Sequence, residues 1–310
     1  MNQDLNEEWR YYPLLFKKKP AVLYYFAIFS NFAILKKKSF TKQHHMQQVR
    51  AKKSLGQHFL IDLDVAQRIA STIDDYKGVP SLEVGPGMGV LTQFLLQNGH
   101  DLKVVELDSE SVDYLKANFA ALDGRIIEKD FLKLDLREAC GDGEMVVIGN
   151  YPYNISSQIL FHVLDYKDQV TCCSGMFQRE VAQRIAAGPG SKTYGIVSVL
   201  LQAWYDIEYL FTVDENVFDP PPKVKSGVIK LVRNKVTDLG CDERLFKSVV
   251  KTSFGQRRKT LRNSLRGMIP PEAMPNLDAQ YGELFKRRPE QLSVAEFIEL
   301  TNIIKNLQQK

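Results

Sequence analysis

Ser81-Leu82-Glu83-Val84-Gly85-Pro86-Gly87-Met88-Gly89 decides how this chain is read. A short apolar run enters three glycines at alternate positions, and a helical pattern follows. Glycine lets a backbone turn tightly and approach a ligand closely, so strand, loop and helix together open a nucleotide-binding βαβ unit. The dinucleotide fingerprint G-x-G-x-x-G asks for glycine or alanine at position 90, where this chain has Val90. The acidic form running from Glu83 through Gly85 and Gly87 to Gly89 suits a nucleoside that carries methionine, which sets an oxidoreductase aside.

The same rhythm continues on the C-terminal side. Leu102-Lys103-Val104-Val105-Glu106, Arg125-Ile126-Ile127 and Met145-Val146-Val147-Ile148 are apolar runs, each followed by an amphipathic stretch. This alternation predicts a Rossmann-like α/β domain with a parallel sheet. Further on, Ile196 to Trp204 reads as a helix and Ser226 to Val232 as a late strand. Phe218-Asp219-Pro220-Pro221-Pro222 is a stiff extended connection between them, because three prolines cannot lie inside a sheet ladder. After Arg233 the strand patterns stop, and Arg244 to Arg266 reads as one long helix with Leu245, Val249, Leu261 and Leu265 among its apolar positions. The expected division is an extension over 1–45 outside the fold, a Rossmann-like domain over 46–233 and a small all-helical RNA-binding domain over 234–310.

Polar groups stand where the predicted strands end. Glu106 follows the glycines at about the 20-residue distance from which a carboxylate accepts both hydrogen bonds of a ribose diol. Asp130 is placed to accept from an adenine amino group, although an acid after a strand is commonly a helix cap. Asn150-Tyr151-Pro152-Tyr153 follows the fourth predicted strand. An exocyclic amino group is a poor nucleophile because its lone pair is delocalised into the ring. The Asn150 side-chain carbonyl and the Pro152 backbone carbonyl are acceptors that let such a nitrogen become tetrahedral. Tyr153 and Phe218 are candidates to stack on the base, against the alternatives of an Asx-type turn and plain core.

Composition narrows the class without deciding it. The net charge of +4 is concentrated at the N-terminus, where residues 1–45 carry eight Lys/Arg against three Asp/Glu. Local clusters are better guides to phosphate contact: Lys52-Lys53, Arg257-Arg258-Lys259 with Arg262 and Arg266, and Lys286-Arg287-Arg288. Cys140, Cys172, Cys173 and Cys241 show neither C-x-x-C pairing nor partner histidines, which argues against a zinc or disulfide framework and fits a reducing cytoplasm. The apolar stretch Pro20 to Leu35, flanked by lysines, is short for a membrane span and has no cleavage site after it. Translation is expected to begin at Met46, with no membrane association.

Taken together, these residues resemble the ribosomal RNA adenine dimethyltransferases of the bacterial KsgA family. The likeness runs from about Arg50 to the C-terminus, on Lys53 to Leu60, Glu83 to Gly89, Asn150 to Tyr153, Phe218 through Val224, and Phe254 to Leu265. The resemblance implies a class I S-adenosylmethionine-dependent methyltransferase fold, with cofactor contacts from His58, Leu60, Gly85, Glu106, Asp130 and Asn150. It implies that Tyr153 and Phe218 face the target adenine. The implied reaction is dimethylation at N6 of two adjacent adenosines in the 3′-terminal hairpin loop of 16S rRNA, late in small-subunit assembly. Two positions depart from the family pattern: Tyr151 stands where leucine is usual, and His58 where asparagine is common. The competing readings are a large-subunit adenine methyltransferase of the macrolide-resistance type, and a non-catalytic ribosome assembly factor with a vestigial cofactor pocket. A monomer is expected, because no heptad pattern or extended apolar patch is evident.

Overall fold

The computed structural model describes Val49, Ala51, Lys52 and residues Leu55–Gln309; the expectations for residues 1–45 and for Met46 lie outside the described residues. In chain order the strands are β1 (Phe59–Leu60), β2 (Ser81–Val84), β3 (Leu102–Glu106), β4 (Ile126–Glu128), β5 (Met145–Asn150), β6 (Val170–Gln178), β7 (Tyr205–Val213), β8 (Phe218–Asp219) and β9 (Ser226–Arg233). Seven of them form one sheet in the order β4-β3-β2-β5-β6-β9-β7, and β1 pairs with β8 separately. The five strands from β4 to β6 are parallel, while β9 and β7 complete the sheet antiparallel.

The sequence pattern explains this placement. All four residues of β2 and the first five of β5 are buried, as expected of parallel strands covered on both faces. Successive residues point to opposite faces. Val104, Val146 and Ile148 therefore pack with Ala66 and Ile69 of α1 (Leu63–Ala70), Leu95 of α2 (Thr92–Gln97) and Leu115 of α3 (Ser109–Asn118). Val105 and Val147 turn to the other face. There they join Ala139 of α4 (Leu136–Cys140), Ile159 and Val163 of α5 (Ser156–Asp165), Ile185 of α6 (Arg179–Ala186) and Leu201 of α7 (Ile196–Gln202).

Within the seven-stranded sheet, β6 and β7 have no counterpart in the sequence reading. β6 carries Thr171, Ser174 and Gly175, which interrupt its apolar run, yet Ser174 is fully buried and its hydroxyl donates to the Ile229 carbonyl at 3.1 Å. β7 lies at the sheet edge with Asp206 and Glu208 on it, charges that discourage pairing with another chain.

Beyond Arg233 the described residues form helices, as the pattern predicts, but the expected single helix from Arg244 to Arg266 is two. α8 (Glu243–Gly255) ends at Gly255, Thr260 is extended (φ −67°, ψ 156°), and α9 (Leu261–Ser264) starts anew. α10 (Met274–Lys286) and α11 (Val294–Gln308) follow. Phe246, Val250, Phe285, Phe297 and Ile304 from these helices belong to the same apolar cluster as the second sheet face, and Val49–Lys310 is one compact unit. The expected boundary at Arg233 thus separates strands from helices within a shared core.

The turn after β5 depends on glycine in the neighbouring strand. Gly175 has φ +149°, and a Cβ there would lie 2.6 Å from the Tyr151 ring. Gly175→Ala is expected to destabilise the fold by about 1–3 kcal/mol through overpacking and backbone strain, measured by urea unfolding.

Candidate active site

Chain order runs outward from β2 through β3 to β4, then reverses through β5 to β6, so the carboxyl ends of β2 and β5 flank a topological switch point. Open α/β sheets bind ligands in the crevice at such a point. A cleft of about 280 Å³ lies there, and Gly85, Gly87, Glu106, Asp130, Asn150, Pro152 and Tyr153 all line it, together with His58. Four parallel strand ends thereby gather residues that lie far apart in the sequence.

Glu106 is 6% exposed and is held by three backbone donors: Leu107 N–H at 2.8 Å and Asp108 N–H at 2.9 Å to Oε1, and Gly87 N–H at 3.1 Å to Oε2. Burial raises its pKa, and these amides oppose the rise. Carboxylate oxygens accept more than one hydrogen bond, so the pair remains available to a diol. Gly87 has φ +54°, and a Cβ there would come within 2.8 Å of the Phe59 ring. Position 87 therefore has no room for a side chain, and a nucleoside fits against bare backbone there. With a diol acceptor, a bare loop and Asp130 on one wall, the cleft fits an adenosyl group.

Asp130 is a cap that also lines the cleft. Its Oδ1 caps the turn Phe131–Lys133 by accepting from Leu132 N–H at 3.0 Å, and it lines the cleft. Asn150 Nδ2 donates to the His58 carbonyl at 3.1 Å. That bond orients the amide so that Oδ1, which has no partner among the described residues, serves as the free acceptor. The Pro152 carbonyl accepts from Ser156 Oγ at 3.1 Å, a hydroxyl that also reaches the Tyr153 carbonyl at 3.1 Å. Tyr153 stacks on His58 with ring centroids 5.5 Å apart at 28°, and its hydroxyl meets Ser226 Oγ at 2.5 Å.

Two expected residues sit elsewhere. Phe218 is 3% exposed and packs in the core cluster with Leu60 across the β1–β8 pair, so its ring does not line the cleft. Pairing with β1 holds the Phe218 ring in the core beside Leu60. Leu60, 4% exposed, lies behind the glycine loop in a small adjoining pocket with Gly85, Leu91 and Asn150. Tyr151 replaces the usual leucine without loss of order: it is buried against Phe177 at 4.7 Å and its hydroxyl donates to the Ser174 carbonyl at 2.9 Å.

The basic clusters divide once partners are seen. Arg262 makes a two-pronged pair with Asp278 at 2.8 and 2.7 Å, joining α9 to α10. Arg257 donates to the Ser191 carbonyl at 3.2 Å and lies 3.8 Å from Glu290. Lys286 pairs with Glu283, and Arg287 with Glu296, whose carboxyl its guanidinium holds down at about 2. Arg262 thus ties α9 to α10 while its side chain stays 43% exposed. Arg258 and Lys259 form no ion pair among the described residues.

Two further groups take structural roles that the sequence reading does not assign to them. Glu83, the acidic letter of the glycine motif, is 1% exposed with one partner, the Thr92 hydroxyl at 2.7 Å. Lys52 and Gln57 both reach Asp108, which joins segments distant in the chain.

Comparison with known proteins agrees with this architecture. A dimethyladenosine transferase from Plasmodium falciparum superposes with a TM-score of 0.69 at 20% identity, over 81% of this chain and 98% of that one. The 23S rRNA methyltransferase ErmE superposes at 0.58 and 23% identity, over 79% and 99%. The fold is that of a Rossmann-like class I methyltransferase. The chain belongs to the family described as ribosomal RNA adenine dimethylase, which matches residues 48–306. It is 67% identical over 262 residues to the ribosomal RNA small subunit methyltransferase A of Parabacteroides distasonis, covering 83% of this chain and 95% of that protein. Among the described residues no helix is long and apolar enough to cross a membrane.

Burial pushes the Glu83 carboxyl up to about 8 from its ordinary 4.5. Between these values the folded state keeps a proton that the unfolded state has lost, so stability falls as pH rises. Glu83→Gln, which retains an acceptor for Thr92, is expected to remove that fall. Thermal melts at pH 5 and pH 8 should then show a smaller loss for the variant than for the wild type.

Proposed function

We propose that this chain transfers methyl groups from S-adenosylmethionine to the N6 amino groups of adenines in small-subunit ribosomal RNA, giving N6,N6-dimethyladenosine in two successive transfers per base. The observation that carries this reading is the free Asn150 Oδ1 at the rim of a cleft whose far wall holds Glu106. When bound, S-adenosylmethionine supplies an electrophilic methyl group on a sulfonium. Glu106 would hold the ribose diol, Asp130 the adenine amino group of the cofactor, and the glycine loop the nucleoside backbone.

The target base enters from the Tyr153 side. Asn150 Oδ1 and the Pro152 carbonyl accept the N6 hydrogens, which draws the nitrogen lone pair out of conjugation and aims it at the methyl carbon. The Pro152 carbonyl also accepts from Ser156 Oγ at 3.1 Å and from Ile155 N–H at 3.3 Å, so Asn150 Oδ1 is the principal acceptor and Pro152 the secondary one. The cofactor would give up the methyl group and keep the C–S electron pair on its sulfur, and the spare N6 proton would pass from the Asn150 and Pro152 acceptors to water. In-line positioning carries the rate, so no histidine base is needed. Tyr153, stacked on His58, supplies the aromatic surface for the base.

The name of the 67%-identical relative favours the small subunit over the large one as substrate. An intact cleft, with Gly85, Gly87, Glu106, Asp130 and Asn150 gathered in place, favours catalysis over a purely non-catalytic assembly role. We further propose that Arg258 and Lys259 contact RNA phosphate, with Arg257 beside them, and that the protein works as a cytoplasmic monomer.

Incubation with small subunits lacking the modification, followed by mass spectrometry of the digested RNA, should reveal dimethyladenosine. Asn150→Ala should lower kcat about 10²–10³-fold, a larger effect than on the Kd of S-adenosylmethionine. Subunit binding without methyl transfer by the wild type would replace this reading with the assembly-factor one. Reversing both charges, Arg258→Glu with Lys259→Glu, should weaken subunit binding and flatten its dependence on log salt by about 1 for each phosphate that is no longer neutralised.

A further inference from the structure

Asp108 is 3% exposed, yet its carboxylate serves neither as a strong helix cap nor as a lining group of the cleft. It accepts from Glu110 N–H, in the first turn of α3, only at 3.4 Å. Much shorter is the bond to Lys52 Nζ, at 2.5 Å to Oδ1, while Gln57 Nε2 reaches Oδ2 at 3.3 Å beside Ser111 Oγ at 3.1 Å. Lys52 N–H donates to Gln57 Oε1 at 2.8 Å, which ties the two arm residues to each other. A buried carboxylate without a cation is costly, and among the described residues Lys52 is the cation that Asp108 has.

From this anchor the arm runs across the whole site. Gly56 passes so close to Asn154 that a Cβ would fall 2.6 Å from its Oδ1. His58 accepts from Asn150 through its carbonyl, meets the Pro220 carbonyl through Nδ1 at 2.8 Å and stacks on Tyr153. Phe59 covers Gly87. The anchor itself touches the cofactor wall, because the Asp108 N–H donates to Glu106 Oε1.

We infer that Lys52 and Gln57 are positioning residues: by clasping Asp108 they hold a strap that couples occupation of the cofactor cleft to the shape of the Asn150–Tyr153 turn. The inference rests on the methyltransferase reading above. Asp108 is the hub, with one side of it fixed on the ribose ligand and the other on the strap. Such coupling is reciprocal, so a loosened clasp weakens cofactor binding as well as the order of the turn.

The test uses the full chain as wild type, Lys52→Met, Asp108→Asn and Lys52→Arg. Titration calorimetry gives the Kd of S-adenosylhomocysteine, and hydrogen exchange reports protection of residues 150–155 with and without it. Lys52→Met and Asp108→Asn are expected to raise Kd about fivefold or more and to abolish the protection that the ligand gives the turn, whereas Lys52→Arg restores both. Unchanged Kd and protection in Lys52→Met overturn the strap, as does a lowered melting temperature with Kd unaltered. Wild type that takes up no S-adenosylhomocysteine overturns the methyltransferase reading itself, and the strap with it.

Discussion

Everything in the site depends on β2 being hydrogen-bonded in parallel to both β3 and β5. Parallel pairing points all carboxyl ends the same way, and the reversal of strand order leaves a crevice between two of them. Glu106, Asp130 and Asn150 need no long-range instruction to meet, since each is the polar residue at or just beyond the end of an apolar strand. The sheet converts a sequence spacing into a spatial constellation.

Electrostatics within that constellation follow from the same geometry. Glu83 and Glu106 are both buried near the ends of neighbouring strands, but their surroundings differ. Glu106 meets three amide donors, which support a charged carboxylate, whereas Glu83 has a single hydroxyl. The first is thereby suited to accept from a ligand, and the second to stand protonated within the fold at neutral pH.

The sequence is informative where function and local structure coincide. The glycine loop and the Asn150–Tyr153 turn announce themselves by residue type, and β5 by the continuous apolar run Met145–Ile148. β6 escapes such a reading because its buried interior uses small polar residues satisfied across the sheet, such as Ser174 on Ile229. The burial of Phe218 is set by pairing with Phe59–Leu60, far away in sequence, so its neighbours in the chain carry no sign of it. The Arg262–Asp278 pair shows only once α9 packs on α10. The Lys52–Asp108 bond is hidden for the same reason. Side chains whose partners lie dozens of residues away carry no local mark of it.

The shared core between the sheet and the C-terminal helices limits how this protein can be rebuilt. Phe246, Phe285 and Phe297 sit in one apolar mass with Val147 and Ile229, so the helices are not a detachable cassette. Excising them would uncover a greasy sheet face, and grafting in helices from another enzyme would require refitting that face residue by residue. A change of RNA target along this lineage is therefore expected to proceed by exchange of exposed side chains on a retained helical frame, with wholesale replacement of the frame disfavoured by its own packing.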